Sequence, residues 1–203
     1  MLLVAVLVSG SGSNLQALLD ASATDPDFGA RIVAVISDRA GVGALERATR
    51  AGVPAEVVRW GEFSDREAFS VAVCDTAERH GAEALILAGF MRILSPSAID
   101  RYPNRIINIH PALLPAFPGP HAVPAALAHG VKVSGVTVHF VDDEVDHGPI
   151  IAQRTVPVQP GDTEETLHAR IQKEEHSLFP EVVKAFAAGS LRVDGRRVIW
   201  EES

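Results

Sequence analysis

One cysteine, Cys74, is present among the 203 residues. A single thiol cannot form an internal disulfide or a cysteine-rich metal cage, and it gives no sign of an oxidising compartment. The eight histidines include no His-Glu-x-x-His arrangement, a helical motif that commonly binds zinc. The sequence therefore predicts a protein without disulfides and without a metal site.

Positive charge is also scarce. The sequence has 18 Lys and Arg against 26 Asp and Glu, which gives a formal net charge of −8. Binding to nucleic acid phosphates needs clustered Lys and Arg, and no such run occurs in the sequence. We therefore expect no nucleic acid partner, transfer RNA included.

Long apolar runs are missing too, since no stretch approaches the length of a membrane span. Residues 2–8 are apolar, but no basic residues precede them and a Gly/Ser turn follows at once. A first core strand explains them better than a signal peptide. We expect a cytoplasmic protein with small-molecule partners and no membrane partner. The sequence does not decide between a monomer and a homodimer.

The chain does contain 47% hydrophobic residues, enough to bury one core. In the first half, short Val/Ile/Leu runs alternate with helical patterns, which is typical of βαβ units and a parallel sheet. The expected elements are strands near residues 2–8, 31–37, 55–58 and 84–89, with helices near 13–22, 42–51 and 64–80. We predict a single α/β domain over residues 1–203, Rossmann-like, with a mostly parallel central sheet and helices on both faces.

The second half predicts three further strands, two of which form a hairpin-like pair. The expected elements are strands near 105–109, 133–141 and 149–158 and a short helix near 122–129. A long helix begins near Thr163, where Asp162 or Thr163 can cap it, and Pro180 bends it. Beyond it, Asp194-Gly195 separates two short apolar runs and predicts a closing hairpin.

The strongest functional pattern is Asn108-Ile109-His110-Pro111, at the end of a predicted strand. Residues two apart in a strand share a face, so Asn108 and His110 point the same way. An amide beside an imidazole can bind an oxyanion while the imidazole moves a proton. Asp146, in the turn between the paired strands, can return beside His110 and hold its imidazolium form. Taken singly, these residues are explained as well by a capped strand end and an ordinary turn.

A Gly/Ser loop, residues 9–15, joins the first strand to the first helix. Its glycines let backbone N–H groups approach a phosphate at the positive end of the helix. No Gly-Lys-Ser/Thr follows, so the loop is not a Walker phosphate loop. It also departs from the dinucleotide fingerprint, because Leu15 stands where the third glycine would be. Asp38, at the end of the second strand, does not decide whether a dinucleotide binds. One phosphate on a small sugar suits the loop better. The competing interpretation is a tight turn with Ser13 or Asn14 as N-cap.

Several motifs, in this order, resemble the folate-dependent formyltransferase family. They are Ser-Gly-x-Gly-Ser-Asn-Leu from Ser9, residues 88–95, Asn-x-His-Pro-x-Leu-Leu-Pro from Asn108, residues 138–149 and Glu174-Glu175-His176. The Gly/Ser loop is similar to the phosphate loop of the branch that formylates glycinamide ribonucleotide with 10-formyltetrahydrofolate. The resemblance implies that both are small-molecule substrates of this chain. It also implies a ribonucleotide-binding half, about 1–103, and a folate-binding and catalytic half, about 104–203.

The resemblance further implies a role for individual residues. The catalytic residues would be Asn108, His110 and Asp146. The ribonucleotide contacts would be Gly12, Ser13, Asn14, Gln172 and Glu175. The folate contacts would be Arg66, Met91, Arg92, Ile93, Leu94, Asn108, Asp142, Asp143, Glu144, Val145 and Asp146. Without the resemblance, the apolar members of this set are explained as packing residues and Arg66 as a solvated helix residue.

Three positions depart from the common family pattern, namely Ala112, Val123 and His147. None of them removes the Asn/His/Asp set, and His147 replaces a residue that is usually small. His139 alternates with Val138 and Phe140, so it faces either the site or a separate polar pocket.

Two other functions stay open. Formyltetrahydrofolate hydrolases have a similar Asn/His/Asp site but release formate to water, and they usually carry an extra N-terminal domain. A non-catalytic sugar-phosphate sensor could use the same α/β sheet, because a fold alone does not prove catalysis. A third function is disfavoured. Methionyl-tRNA formyltransferases are similar around the active site, but they need a basic surface and a C-terminal RNA-binding domain, and we expect no transfer RNA partner for this chain.

Overall fold

The computed structural model describes residues 1–201. The strands in this range are β1 (Leu2–Val8), β2 (Ala30–Ser37), β3 (Ala55–Val57), β4 (Ala84–Leu87), β5 (Ile106–His110), β6 (Val133–Phe140), β7 (Ile150–Pro157), β8 (Leu191–Asp194) and β9 (Arg197–Trp200). The helices are α1 (Ser13–Thr24), α2 (Gly43–Arg50), α3 (Arg66–Arg79), α4 (Pro96–Asp100), α5 (Ala122–His129) and α6 (Glu164–Ala187). All of these strands belong to one sheet, in the order β3-β2-β1-β4-β5-β6-β7-β9-β8.

The first five strands of the chain run parallel, and the direction reverses at β6. β6 pairs antiparallel with β5, and β7 pairs antiparallel with β6. The predicted Rossmann-like α/β architecture with a mostly parallel sheet is confirmed, and so is the pairing of the two strands that flank Asp146. β8 and β9 form the expected closing hairpin and extend the sheet beyond β7.

Apolar side chains cover both faces of the sheet, because successive strand residues point in opposite directions. In β1, Val4 and Val6 belong to the core beneath α1, α2, α5 and α6. Ala5 and Leu7 belong to a second core, beneath α3 and α4. The expected helices on both faces are therefore present.

Two short elements were not predicted from the sequence. α4 begins after Ser95, whose hydroxyl accepts a hydrogen bond from the Ala98 N–H, and Pro96 fits the first turn because its missing N–H has no intrahelical partner there. A single 3-10 turn covers Trp60–Glu62. Helices of five residues or fewer are too short to show a helical period in the sequence, which is why these two were missed.

α6 is the longest helix and forms as predicted. Thr163 is its N-cap, and Thr163 and Thr166 form a reciprocal capping box. Pro180 lies inside the helix, which runs on to Ala187. Its buried side chains, Leu167 among them, pack on the core that includes α1. Among the helices of residues 1–201, none is long and apolar enough to cross a membrane.

The sheet order creates a crevice at the carboxyl ends of β1 and β4. These strands are neighbours, with β2 on one side and β5 on the other. After β1 the chain passes to α1 on one face, whereas after β4 it passes to α4 on the other face. The two loops therefore diverge, and such a switch point is where open α/β sheets bind ligands.

Candidate active site

Three polar side chains meet where β5 ends beside the turn that follows β6. Asp146 Oδ2 lies 3.3 Å from His110 Nδ1, and Asn108 Nδ2 donates to Asp146 Oδ1 at 3.3 Å. Both β5 side chains thus point towards the same carboxylate, as residues two apart in a strand should. The structure brings together Asn108, His110 and Asp146, and their catalytic roles stay a prediction.

Both ring nitrogens of His110 face oxygen acceptors. Nδ1 faces the Asp146 carboxylate, and Nε2 lies 2.8 Å from the carbonyl oxygen of Phe117. A carbonyl oxygen only accepts hydrogen bonds, so Nε2 carries a proton and donates it to Phe117. An imidazole N–H of this kind can donate to a reacting group that takes the place of the carbonyl.

His139 is part of the same cluster, although the sequence left its position undecided. Its Nδ1 lies 2.8 Å from the Phe140 carbonyl oxygen and therefore carries a proton. In the neutral ring Nε2 is then an acceptor, and Asn108 Nδ2 donates to it at 3.1 Å. The same Nε2 lies 3.6 Å from Asp146. His139 thus fixes the orientation of the Asn108 amide, with its N–H groups towards His139 and Asp146.

The environment of Asp146 favours its charged form. Burial raises the pKa of this carboxyl, but a hydrogen bond from the Gly119 N–H and the charge of His110 together hold the pKa below its ordinary value. The Gly119 N–H donates to Asp146 Oδ2 at 2.7 Å. Asp146 is therefore a carboxylate at neutral pH.

The loops around the cluster adopt conformations that side chains rarely take. Phe117 and Asp146 have φ angles of 54° and 53°, in the left-handed region. A Cβ atom on Gly148 would lie 1.9 Å from the Phe140 carbonyl oxygen, so the turn passes against β6 only because residue 148 is glycine. These backbone features set the directions of the Phe117 carbonyl and the Asp146 carboxylate.

A cavity of about 320 Å³ opens beside the cluster, and Asn108, His110, His139 and Asp146 contribute to its lining. The predicted folate contacts that line it are Met91, Arg92, Ile93, Leu94, Asn108, Asp142, Glu144, Val145 and Asp146. Among the described residues, Arg66 and Asp143 lie outside this lining, and Arg66 is exposed at the start of α3. A mostly apolar slot with a few polar groups suits a flat heterocycle.

The Gly/Ser loop ends at Gly12, which is the N-cap of α1 with φ 76°. Within residues 1–201 no side chain caps this helix, so the interpretation of Ser13 or Asn14 as N-cap is wrong. Both residues already lie inside α1. A Cβ atom at position 12 would lie 2.7 Å from Ala44 Cα, and glycine alone adopts this backbone readily. The first N–H groups of α1 are left for an anion, because no side chain bonds to them.

Asn14 connects this loop to α6. Its Nδ2 donates to Glu175 Oε2 at 2.9 Å, and both residues are buried. Asn14 Oδ1 is buried without a hydrogen-bond partner among the described residues. Gln172 lies one turn before Glu175 and is half-buried. A buried acceptor without a donor costs about 1–3 kcal/mol, so a ligand that brings a donor to Asn14 recovers that free energy.

Arg47 also supports the Gly/Ser loop and was not identified from the sequence. Its Nε donates to the Ser11 carbonyl at 2.9 Å, and its Nη1 donates to Gln16 Oε1 at 3.0 Å. Arg47 lies on α2, 36 residues from Ser11, so the contact leaves no short-range pattern in the sequence. It places a positive charge beside the N-terminus of α1.

The three departures from the family pattern occupy different settings. Ala112 is fully buried and its carbonyl accepts from Thr137 at 2.7 Å, whereas Val123 is buried in α5. His147 is largely exposed, lies 2.8 Å from an oxygen of Asp142, and its carbonyl accepts from Arg196 Nη2 at 2.6 Å. His147 therefore links the turn of Asp146 to the closing hairpin.

Comparison with known proteins identifies the family. A profile described as formyl transferase matches residues 2–183. The chain belongs to the formyl transferase family. The chain is 42% identical over 202 residues to phosphoribosylglycinamide formyltransferase of Escherichia coli (strain K12), and 96% of this chain and 95% of that protein are covered. It superposes with a TM-score of 0.97 on glycinamide ribonucleotide transformylase 1 from Symbiobacterium toebii, at 48% identity, covering 100% of this chain and 95% of that chain.

Longer relatives contain a similar domain. The chain is 45% identical over 198 residues to the trifunctional purine biosynthetic protein adenosine-3 of Bos taurus, and the match includes 97% of this chain but only 20% of that protein. The chain thus spans about a fifth of that relative. A formyltetrahydrofolate deformylase from Pseudomonas syringae pv. tomato superposes with a TM-score of 0.91 at 27% identity, covering 99% of this chain and 66% of that chain.

Gly12→Ala tests whether the left-handed N-cap of α1 is required for stability. We expect a loss of unfolding free energy of at least about 1 kcal/mol, because alanine is strained at this φ and its Cβ meets α2. Gly10→Ala is the matched control, since no heavy atom lies within 4 Å of a Cβ there. Urea unfolding of both variants measures the difference, and equal stabilities would contradict the argument.

Asp146→Asn tests the charge of the buried carboxylate. A carboxyl whose pKa is lowered on folding stabilises the protein above its unfolded pKa of about 3.9, and that stability is lost as the pH falls through the folded pKa. We expect the wild type to exceed the variant in unfolding free energy at pH 6, and the difference to shrink below about pH 4. Asp143→Asn, at an exposed position of the same loop, is the matched control for the loss of one carboxylate without burial. A difference that does not change with pH would refute the charged state.

Proposed function

We propose that the chain transfers the formyl group from 10-formyltetrahydrofolate to the amine of glycinamide ribonucleotide, giving formylglycinamide ribonucleotide and tetrahydrofolate in purine biosynthesis. The observation that carries this proposal is the Asn108, His110 and Asp146 cluster, which lines an apolar cavity at the edge where the Gly/Ser loop also ends. The names of the relatives with high coverage support the same reaction.

The ribonucleotide is proposed to bind at the start of α1. The first N–H groups of α1, from Ser13 onwards, and the charge of Arg47 favour an anion such as a phosphate. The buried acceptors Asn14 Oδ1 and Glu175 suit the hydroxyl groups of a ribose. Gln172, on the same side of α6 as Glu175, is the remaining proposed contact.

The folate is proposed to bind in the 320 Å³ cavity. Apolar groups of Ile93, Leu94 and Val145 would contact the pteridine and benzoyl rings, and the backbone of residues 142–146 would supply polar contacts. Arg66 and Asp143, outside the lining, are proposed to reach the more exposed part of the same substrate. The N-terminal half, about 1–103, would thus bind the phosphate, and the C-terminal half, about 104–203, would hold most of the folate and the catalytic residues.

In the proposed reaction the amine nitrogen forms a bond to the formyl carbon, and the bond from that carbon to the folate nitrogen breaks. The attacking amine loses a proton and the departing nitrogen gains one, so the transfer is balanced without an acyl-enzyme. His110 donates a hydrogen bond to the developing oxyanion and moves the proton, while Asp146 keeps the imidazolium form.

Asn108 is proposed as the second oxyanion donor. Its two N–H groups donate to His139 at 3.1 Å and to Asp146 at 3.3 Å, and the second contact is the longer. The oxyanion would take the place of that longer hydrogen bond, while His139 keeps the amide in orientation. A donor held in advance by a buried neighbour needs little reorganisation when charge develops.

Two observations favour transfer over hydrolysis. A hydrolase needs no acceptor phosphate, whereas here the Gly/Ser loop leaves helix N–H groups for an anion beside the folate cavity. The identity to the deformylase is 27%, against 42% and 48% for the relatives named above. A cytoplasmic location and a monomeric or homodimeric state remain part of the proposal.

The decisive experiment follows the absorbance change of 10-formyltetrahydrofolate with and without glycinamide ribonucleotide. We expect turnover only with the ribonucleotide, and a loss of at least about a hundredfold in kcat for Asn108→Ala and for His110→Ala. His168→Ala, at an exposed position of α6, is the control and should stay within about twofold of wild type. Equal turnover without the ribonucleotide would indicate a hydrolase, and binding without turnover would indicate a sensor.

Asn14→Asp tests the proposed ribonucleotide site at the start of α1 separately from the proposed folate cavity. The added carboxylate meets Glu175 and the incoming phosphate, so we expect the KM for the ribonucleotide to rise by roughly tenfold or more while the KM for formylfolate changes little. Gln16→Glu adds the same charge two residues further along α1, beside Arg47, and should have a much smaller effect. Initial-rate kinetics with each substrate varied in turn measure both constants. A rise confined to the formylfolate KM would contradict the proposed position of the ribonucleotide.

A further inference from the structure

Asp38 is a buried carboxylate outside the catalytic cluster. It follows the last residue of β2, and its side chain is fully buried. Its partners are Arg92, Arg39 and the hydroxyl of Ser9. We propose that Asp38 is a positioning residue that holds the segment of residues 89–94, named here the folate loop, in the conformation that binds formylfolate. The kinetic part of this inference rests on the proposed function.

The direct contact runs to Arg92. Arg92 Nε donates to Asp38 Oδ2 at 2.8 Å, and the guanidinium also lies over the Trp60 ring, 5.0 Å from its centroid. An ion pair on one side and an aromatic face on the other restrict the guanidinium to one position. Arg92 lines the cavity, so the position of its side chain shapes that wall.

The indirect contact runs through Ser9, the first residue of the Gly/Ser loop. The Ser9 hydroxyl lies beside Asp38, where it helps to lower the pKa of that carboxyl, and it accepts from the Met91 N–H at 2.8 Å. The Ser9 N–H in turn donates to the Gly89 carbonyl at 3.1 Å. Asp38 therefore holds Arg92 directly, and Ser9 beside it holds the backbone of Met91 and Gly89.

Electrostatics favour this arrangement. Burial raises the pKa of the Asp38 carboxyl, but the contacts with Ser9, Arg92 and Arg39 lower it by more than burial raises it. The resulting pKa therefore lies below the ordinary value. A buried carboxylate that loses a partner is left uncompensated, so the folate loop cannot leave Asp38 without a large cost. The position of the loop is thus set by the charge at the end of β2.

Ser9 also gives Asp38 a connection to the other substrate site. Ser9 begins the Gly/Ser loop, and Gly89 follows β4, so the Ser9 contacts join the two loops at the switch point of the sheet. The catalytic step needs both substrates within reacting distance, and this junction fixes the separation of their binding loops.

The first test needs no substrate. Asp38→Asn keeps the size of the side chain and removes its charge, and hydrogen exchange by NMR then follows the Met91 amide. We expect exchange at Met91 to become at least about tenfold faster, while the amide of Ile86 in the middle of β4 stays unchanged. Unchanged exchange at Met91 would overturn the inference, whatever reaction the protein catalyses.

The second test separates positioning from mere stabilisation. Asp38→Asn should raise the KM for formylfolate by about tenfold with kcat within about threefold, because a displaced loop weakens binding but leaves the His110 cluster intact. A purely structural role would lower the melting temperature and the active fraction without changing this KM, and that result would overturn the inference. Arg39→Gln is the control, since Arg39 also contacts Asp38 but does not line the cavity, and its KM should stay within about twofold.

A double-mutant cycle identifies the route of the effect. If Asp38 acts through Arg92, Asp38→Asn combined with Arg92→Gln should raise the KM little more than Arg92→Gln alone. Additive effects would contradict that route. The positioning role and the proposed function can fail separately. If Asp38→Asn speeds exchange at Met91 but the wild-type protein neither binds tetrahydrofolate in calorimetry nor turns over formylfolate, the positioning role stands and the proposed function is refuted.

Discussion

The site depends on one buried negative charge, the carboxylate of Asp146. Its side chain is 10% exposed, and removing a carboxylate from water costs several kcal/mol unless hydrogen bonds and positive charge replace its hydration. Here they come from separate segments: His110 and Asn108 at the end of β5, and the Gly119 N–H of the loop between β5 and α5. The need to compensate a single charge therefore holds the turn after β6, the end of β5 and that loop in one geometry.

A second buried carboxylate, Asp38, applies the same constraint to the other side of the cavity. The strands fix the ends of the loops, and the two charges fix how the loops leave those ends. Asp38 does so for the folate loop through Arg92 and Ser9, and Asp146 does so for the segments near His110. In the proposed two-substrate reaction, small displacements of either loop would lower the rate, so both buried charges bear on positioning as well as on stability.

The sequence predicted what depends on local periodicity. The long strands and helices, the shared face of Asn108 and His110 and the start of α6 near Thr163 follow from patterns of a few residues, although the choice of Thr163 over Asp162 as its cap did not. Contacts between distant segments were missed: Arg47 on the Ser11 carbonyl, and Asp38 on Arg92 across 54 positions. Gly12 as a left-handed N-cap was missed because the choice depends on the close approach of α2, which no local pattern records.

A backbone carbonyl already occupies one ring nitrogen of His110. His110 Nε2 donates to the Phe117 carbonyl, and in the proposed reaction the formyl oxygen replaces that carbonyl. His110 is buried, so losing this hydrogen bond without a new acceptor would leave a buried donor unsatisfied, at a cost of about 1–3 kcal/mol. The Phe117 carbonyl therefore satisfies the ring N–H before the substrate binds, and only a ligand with an acceptor of the same kind can replace it at little cost.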